Sequence, residues 1–162
     1  MDTLSVVRVG IAEGAIVKKP QKIRTNGLGS CVGVVLYDSA GDWSGLVHVM
    51  LPEVPKDKQV NPAKFADVGV PWLLDRLYEA GANRRRVQAK IAGGAQMFAP
   101  VGSSDLLRIG PRNVEMVRHV LTELNIPLVA QDVGGSQGRT IEFDPVTSML
   151  SVRTALRGTY EI

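Results

Sequence analysis

Apolar and polar positions divide the chain into short strand-like runs and two helical stretches. Val6, Val7, Val9 and Ile11, then Ala15 to Val17 after a break at Glu13-Gly14, predict one or two strands. Lys18 to Arg24 reads as a polar, basic connection containing Pro20. Thr25, Asn26, Gly27, Gly29 and Ser30 form a polar, glycine-bearing lead into Cys31. The β-branched and apolar run Val32 to Tyr37 predicts a strand, Asp38 to Gly41 a turn, and Gly45 to Leu51 a second strand paired with the first. Leu51 to Asn61, with two prolines and four charges, predicts an exposed loop.

Asn61-Pro62 combines a capping side chain with a proline at the first helical position, so a helix is expected from there to Ala80, stopped by Gly81. Leu73, Leu74, Leu77 and Tyr78 keep helical spacing, and Pro71 is expected to kink or divide the helix. Val87, Ala89 and Ile91 alternate as in a half-buried strand, and a glycine-containing loop, Gly93 to Gly110, follows. A second helix is predicted from Pro111, its stripe Val114, Val117, Leu121 and Leu124 ending before Pro127. Leu128 to Ala130, Thr140 to Phe143 and Met149 to Val152 predict three more strands, with a tight loop over residues 133–139. Seven or eight strands and two helices describe an α+β fold: a layered α/β sandwich of mixed β-sheets, in one domain over residues 1–162.

Composition narrows the function classes. Hydrophobic residues at 44% and charged residues at 22% describe an ordinary globular protein. The net charge is +3, and the basic residues are scattered apart from Arg84-Arg85-Arg86, so no nucleic-acid partner is expected. One cysteine forms no internal disulfide, and no apolar run approaches the roughly 20 residues of a membrane-spanning helix. The start, MDTLSVVRVG, lacks the features of a signal peptide, so the expected location is cytoplasmic, without membrane insertion.

The candidate chemistry lies in the predicted hairpin. It holds the only cysteine, Cys31, and one of two histidines, His48. A lone cysteine beside a strand is commonly a small buried hydrophobe, and a histidine in an apolar strand a hydrogen-bonded core residue. Against that, Cys31 stands where a glycine-bearing loop meets a strand, and the hairpin can bring His48 near it as the base a thiol nucleophile needs. The other histidine, His119, falls off its helix stripe and is expected to be solvated. No helix follows the cysteine, so depressing its pKa falls to the histidine. Gly29, Ser30, Gly93 and Gly94 are candidates for an oxyanion and substrate loop, since backbone N–H groups can hold a developing oxyanion. Met97 and Phe98 beside them are candidates for an apolar rim.

Other sites fit poorly. Gly27-x-Gly29-x-x-x-Gly33 approaches a dinucleotide fingerprint, but basic, polar residues precede it and a strand-like run follows. One cysteine and two histidines show no metal-ligand spacing.

LGSCVGVVLYD, GLVHVMLP, AKIAGGAQMF, IGPRNV and DVGGSQGR, in this order, resemble the CheD family of chemoreceptor glutamine deamidases. The resemblance spans about Gly14 to Val152 and agrees with a Cys–His deamidase on a layered α/β fold, as in bacterial toxin deamidases. It maps the family's catalytic cysteine, histidine and threonine onto Cys31, His48 and Thr25. It implies hydrolysis of receptor glutamine side chains to glutamate without a cofactor. It also implies two partners, methyl-accepting chemotaxis receptors as substrate and a CheC-type phosphatase. A catalytically quiet module that regulates the phosphatase is the alternative reading.

Overall fold

The computed structural model describes residues 5–56, 60–97 and 108–162. The elements run β1 (Val7–Val9), β2 (Gly14–Lys18), β3 (Ile23–Leu28), β4 (Val32–Asp38), β5 (Trp43–Val49), α1 (Ala66–Ala80), β6 (Val87–Gly93), α2 (Ile109–Glu123), β7 (Leu128–Val133), β8 (Arg139–Asp144), β9 (Met149–Thr154) and β10 (Gly158–Glu161). They form two five-stranded sheets, ordered β2-β5-β4-β6-β7 and β1-β3-β8-β9-β10. Each sheet mixes orientations, because β6 and β7 pair in parallel in the first, as do β1 and β3 in the second. This is the expected α+β layered sandwich.

Side-chain alternation sets the layers. From β4, Val32, Val34 and Leu36 join Leu73, Leu77, Val117 and Leu121 of the helices in one apolar cluster. From the opposite face, Val35 and Tyr37 join Ile23, Leu28, Ile141, Phe143 and Leu150 of the other sheet in a second. The first sheet is therefore the middle of three layers, helices on one side and the second sheet on the other. All seven residues of β4 are buried. For the same reason β6, read from sequence as half-buried, is buried at six of its seven positions.

Several boundaries move for local physical reasons. Asn61 does cap, accepting from the Ala63 N–H, but it caps a short 3-10 turn, Pro62–Lys64. The break before α1 is the extended Phe65 rather than Pro71. Pro71 lies at the sixth position of an unbroken α1, where it removes one helical N–H donor without dividing the helix. Gly81 closes the helix in the left-handed conformation, as expected. The loop after β5 is tied to α1 at its start, where the Leu51 and Pro52 carbonyls accept from Ala66 and Asp67 and Val54 donates to the Asp67 carboxylate; at its far end Asn61 Nδ2 donates to the Ala12 carbonyl. Helix α2 begins at Ile109, two residues before Pro111.

Two strands were not apparent in the amino-acid pattern. Thr25 to Leu28, read as part of a loop, belongs to β3, and β10 follows β9 as an edge strand. The residues preceding the Gly27-x-Gly29 pattern are thus a strand, but β4 rather than a helix follows it, so the pattern builds no pyrophosphate cradle. Among the described residues no helix is long and apolar enough to cross a membrane.

The turn between β4 and β5 is held by a buried carboxylate. Asp38 accepts from the Ala40 and Asn83 N–H groups and from Arg86 Nε and Nη2, at 2.8–3.2 Å. Burial alone would raise its pKa, but Arg86 and the two N–H groups outweigh it and hold the carboxyl at about 2. Arg86 is thereby committed, and Arg84 lies over the Tyr78 ring, so two of the three consecutive arginines serve the fold. Asp38→Ala strands these donors and is expected to cost about 2–3 kcal/mol in urea unfolding. Unchanged stability would show the carboxylate to be dispensable.

Candidate active site

Register brings the candidate residues to one end of the middle sheet. Gly33 of β4 pairs with His48 of β5, so both point to the same face. Cys31 lies two residues before Gly33, diagonal to His48, and packs against the cluster between the sheets. A Cβ at Gly33 would come within 2.6 Å of Ile141 Cδ1 and push that side-chain end aside, so the second sheet packs closely over this pair. Cys31 is partly exposed, whereas His48 and Thr25 are buried.

Thr25 reaches His48 from β3 of the other sheet. Its Oγ1 is 2.7 Å from His48 Nδ1 and also 2.7 Å from the Val9 carbonyl oxygen on β1. The carbonyl can only accept, so the threonine hydroxyl donates to Val9 and must itself accept from His48. The imidazole therefore carries its proton on Nδ1. Nε2 is left with its lone pair, is buried, and has no hydrogen-bond partner among the described residues. The contact runs through the threonine hydroxyl.

Electrostatics make the resting pair neutral. Burial lowers the His48 pKa from its ordinary 6.5 to about 4. Burial likewise raises the Cys31 thiol, against a smaller lowering by its own backbone N–H. The expectation that His48 depresses the thiol is thus not met at rest. No hydrogen bond joins Sγ to the imidazole among the described residues, and desolvation disfavours both charged forms.

The loop before β4 is held by neighbours on two elements. Gly94 N–H donates to the Cys31 carbonyl at 2.8 Å, and Ala95 N–H to the Gly29 carbonyl at 2.8 Å. Gly93 and Gly94 both have positive φ, and a Cβ on Gly93 would lie 2.3 Å from the Cys31 oxygen, so this close approach demands glycine. Gly29 N–H donates to the Gly27 carbonyl. The N–H groups of Ser30 and Cys31 donate to no backbone carbonyl among the described residues. Met97 lies against Gly29 and is 51% exposed; Phe98 lies outside the described residues. His119 is remote from the pair, exposed on α2 and in contact with Glu123.

Two participants escaped the sequence reading. Asn113 of α2 is fully buried and donates through Nδ2 to the Ser30 and Met50 carbonyls, both at 2.9 Å. Its signal was a polar residue four positions before Val117, on the apolar stripe. The Val9 carbonyl is main chain and left no residue-type signal.

The buried histidine links stability to pH. With a folded pKa of about 4 and an ordinary value of 6.5, the unfolded chain binds the extra proton between those limits. Stability contributed by neutral His48 is complete above about pH 7 and falls as pH drops toward 4, by on the order of 3 kcal/mol. Urea unfolding between pH 7 and 5 should show this slope in the parent and a flatter one in His48→Gln. Parallel curves would contradict the burial argument.

Comparison with known proteins adds the family. The family model described as CheD chemotactic sensory transduction matches residues 50–154, beginning just after His48. A chemoreceptor glutamine deamidase CheD from Halalkalibacterium halodurans is 52% identical over 159 residues, covering 97% of this chain and 98% of that protein. The Bacillus subtilis protein of the same name is 49% identical over 155 residues, covering 94% and 93%. These alignments also span the hairpin that carries Cys31 and His48. Among solved structures, Bacillus licheniformis hypothetical protein YfiH is similar at a TM-score of 0.46 and 16% identity, over 74% of this chain and 49% of that one. A Neisseria meningitidis protein is similar at 0.48 and 12%, over 82% and 65%. Near-complete coverage at about half identity settles the kinship: this chain belongs to the CheD family.

Proposed function

We propose that this chain is a chemoreceptor glutamine deamidase, acting as a single cytoplasmic domain on glutamine side chains of methyl-accepting receptors. The relatives' names support the substrate class. The observation that carries the chemistry is the Val9–Thr25–His48 chain, which leaves Nε2 as a buried lone pair on the same face as Cys31. A module that only binds partners would have no use for that arrangement.

Cys31 is the nucleophile and His48 the acid–base, with Thr25 orienting the imidazole. As substrate enters, Nε2 takes the thiol proton and Sγ attacks the glutamine Cδ, giving a tetrahedral oxyanion held by backbone N–H groups of the Ser30–Cys31 loop. The imidazolium then protonates the leaving nitrogen, the C–N bond breaks, and ammonia departs from a thioester. Water, deprotonated by Nε2, hydrolyses the thioester to glutamate and restores the thiol. Because both groups are neutral at rest, proton transfer accompanies attack instead of preceding it.

A CheC-type phosphatase is the second partner in this reading, docking across the rim where Met97 stands exposed beside Gly29. Its binding there would shield Cys31 from receptors.

Incubation with a receptor cytoplasmic fragment should raise the fragment's intact mass by about one dalton per converted glutamine. Cys31→Ala should abolish conversion, His48→Ala should lower it by about a thousandfold, and Thr25→Ala by about tenfold. Conversion by Cys31→Ala at the parent rate would overturn the assignment of the nucleophile.

A further inference from the structure

We propose that Asn113 is a positioning residue for the oxyanion site: by holding the Ser30 carbonyl it aims the Cys31 N–H at the carbonyl under attack. The inference rests on Cys31 being the nucleophile, as proposed above.

The argument starts from the peptide unit. In a trans peptide the C=O of one residue and the N–H of the next point in opposite directions. Whatever holds the Gly29 carbonyl therefore directs the Ser30 N–H, and whatever holds the Ser30 carbonyl directs the Cys31 N–H. Each of the three consecutive carbonyls before β4 has its own donor. Ala95 N–H holds that of Gly29, and Gly94 N–H holds that of Cys31. The middle one, Ser30, is held by the Asn113 side chain.

The asparagine is fixed in this orientation. Its two neighbours, the Ser30 and Met50 carbonyls, only accept, so Nδ2 and not Oδ1 must face them, one hydrogen to each. The helix that carries it is seated on the same loop: a Cβ on Gly110 would lie 2.3 Å from the Ala95 oxygen. Helix α2 thus reaches past the middle sheet and clamps the start of β4 to the end of β5. With the Ser30 carbonyl drawn toward α2 by Asn113, the Cys31 N–H points the other way. That is the side of Sγ, which faces the layer between the sheets. The Cys31 N–H already acts on its own thiol there.

Two reactions of Cys31 separate aiming from mere support. Acylation by p-nitrophenyl acetate forms an Sγ–acyl bond and expels p-nitrophenolate through a tetrahedral oxyanion. Alkylation by iodoacetamide displaces iodide at a saturated carbon, with no oxyanion. In Asn113→Ala, acylation is expected to fall about tenfold or more while alkylation stays within about twofold of the parent. Val117→Ala, also buried on α2, should leave the ratio of the two rates unchanged. Asn113→Ser, which keeps one hydroxyl donor, should show the same bias to a smaller degree. Equal falls in both reactions, no change in either, or failure of both Asn113 variants to fold would make Asn113 a packing residue and overturn the proposal. A parent enzyme that shows these reactions yet leaves receptor glutamine untouched would instead overturn the function proposed above.

Discussion

One hydroxyl group joins the two sheets at the end that carries the candidate site. Thr25 Oγ1 stands 2.7 Å from a β1 carbonyl and 2.7 Å from a β5 imidazole, all of it buried. A polar chain in such a place is costly unless every link is made, since an orphaned donor or acceptor forfeits about 1–3 kcal/mol. The chain closes only if β1, β3 and β5 keep their registers, so the same contact that sets the tautomer also fixes how the sheets stack. Gly33, by admitting Ile141 and Leu28 against the middle sheet, makes the approach close enough.

The remaining parts of the site follow from that stacking. The middle sheet is apolar on both faces, so its strands are rigid, and polar groups collect where the strands end. There the loop that carries Cys31 is held by Gly94 and Ala95, just past β6, and by α2 through Asn113. The second sheet supplies the orienting hydroxyl, the middle sheet the histidine, and the helical layer the anchor for the loop. Each layer contributes a group of different chemistry. Of the three candidate residues, Cys31 is the one left partly open to solvent.

What the sequence revealed, and what it hid, has a physical pattern. The β4–β5 hairpin was legible because buried strands are nearly continuous runs of apolar residues, and α2 because its stripe keeps a helical period. Cys31 and His48 were legible because their chemistry is rare in this chain. Strand β3 was not, because IRTNGL satisfies its polar residues by tertiary contacts: Thr25 to Val9 and His48, and Arg24 to Glu142 on the neighbouring strand. Strand β10, GTYE, has little apolar character and is held by pairing with β9. The division of the first helix followed Phe65, whose extended backbone no residue type announces, while Pro71 drew attention to the wrong place. Family resemblance supplied Thr25, and the geometry explains why a neutral hydroxyl can serve: it needs only to accept a hydrogen bond from one ring N–H and donate its own O–H to a carbonyl.

The central claim is the tautomer of His48, and nitrogen-15 NMR of the histidine ring reads it directly. Near neutral pH, the protein with labelled histidine should show His48 as a neutral ring, its Nδ1 bearing the proton and Nε2 carrying the free lone pair. Assignment follows from loss of those signals in His48→Gln. In Thr25→Val the preference for the Nδ1-protonated ring should disappear. A ring protonated on Nε2, or an imidazolium near neutral pH, would contradict the account.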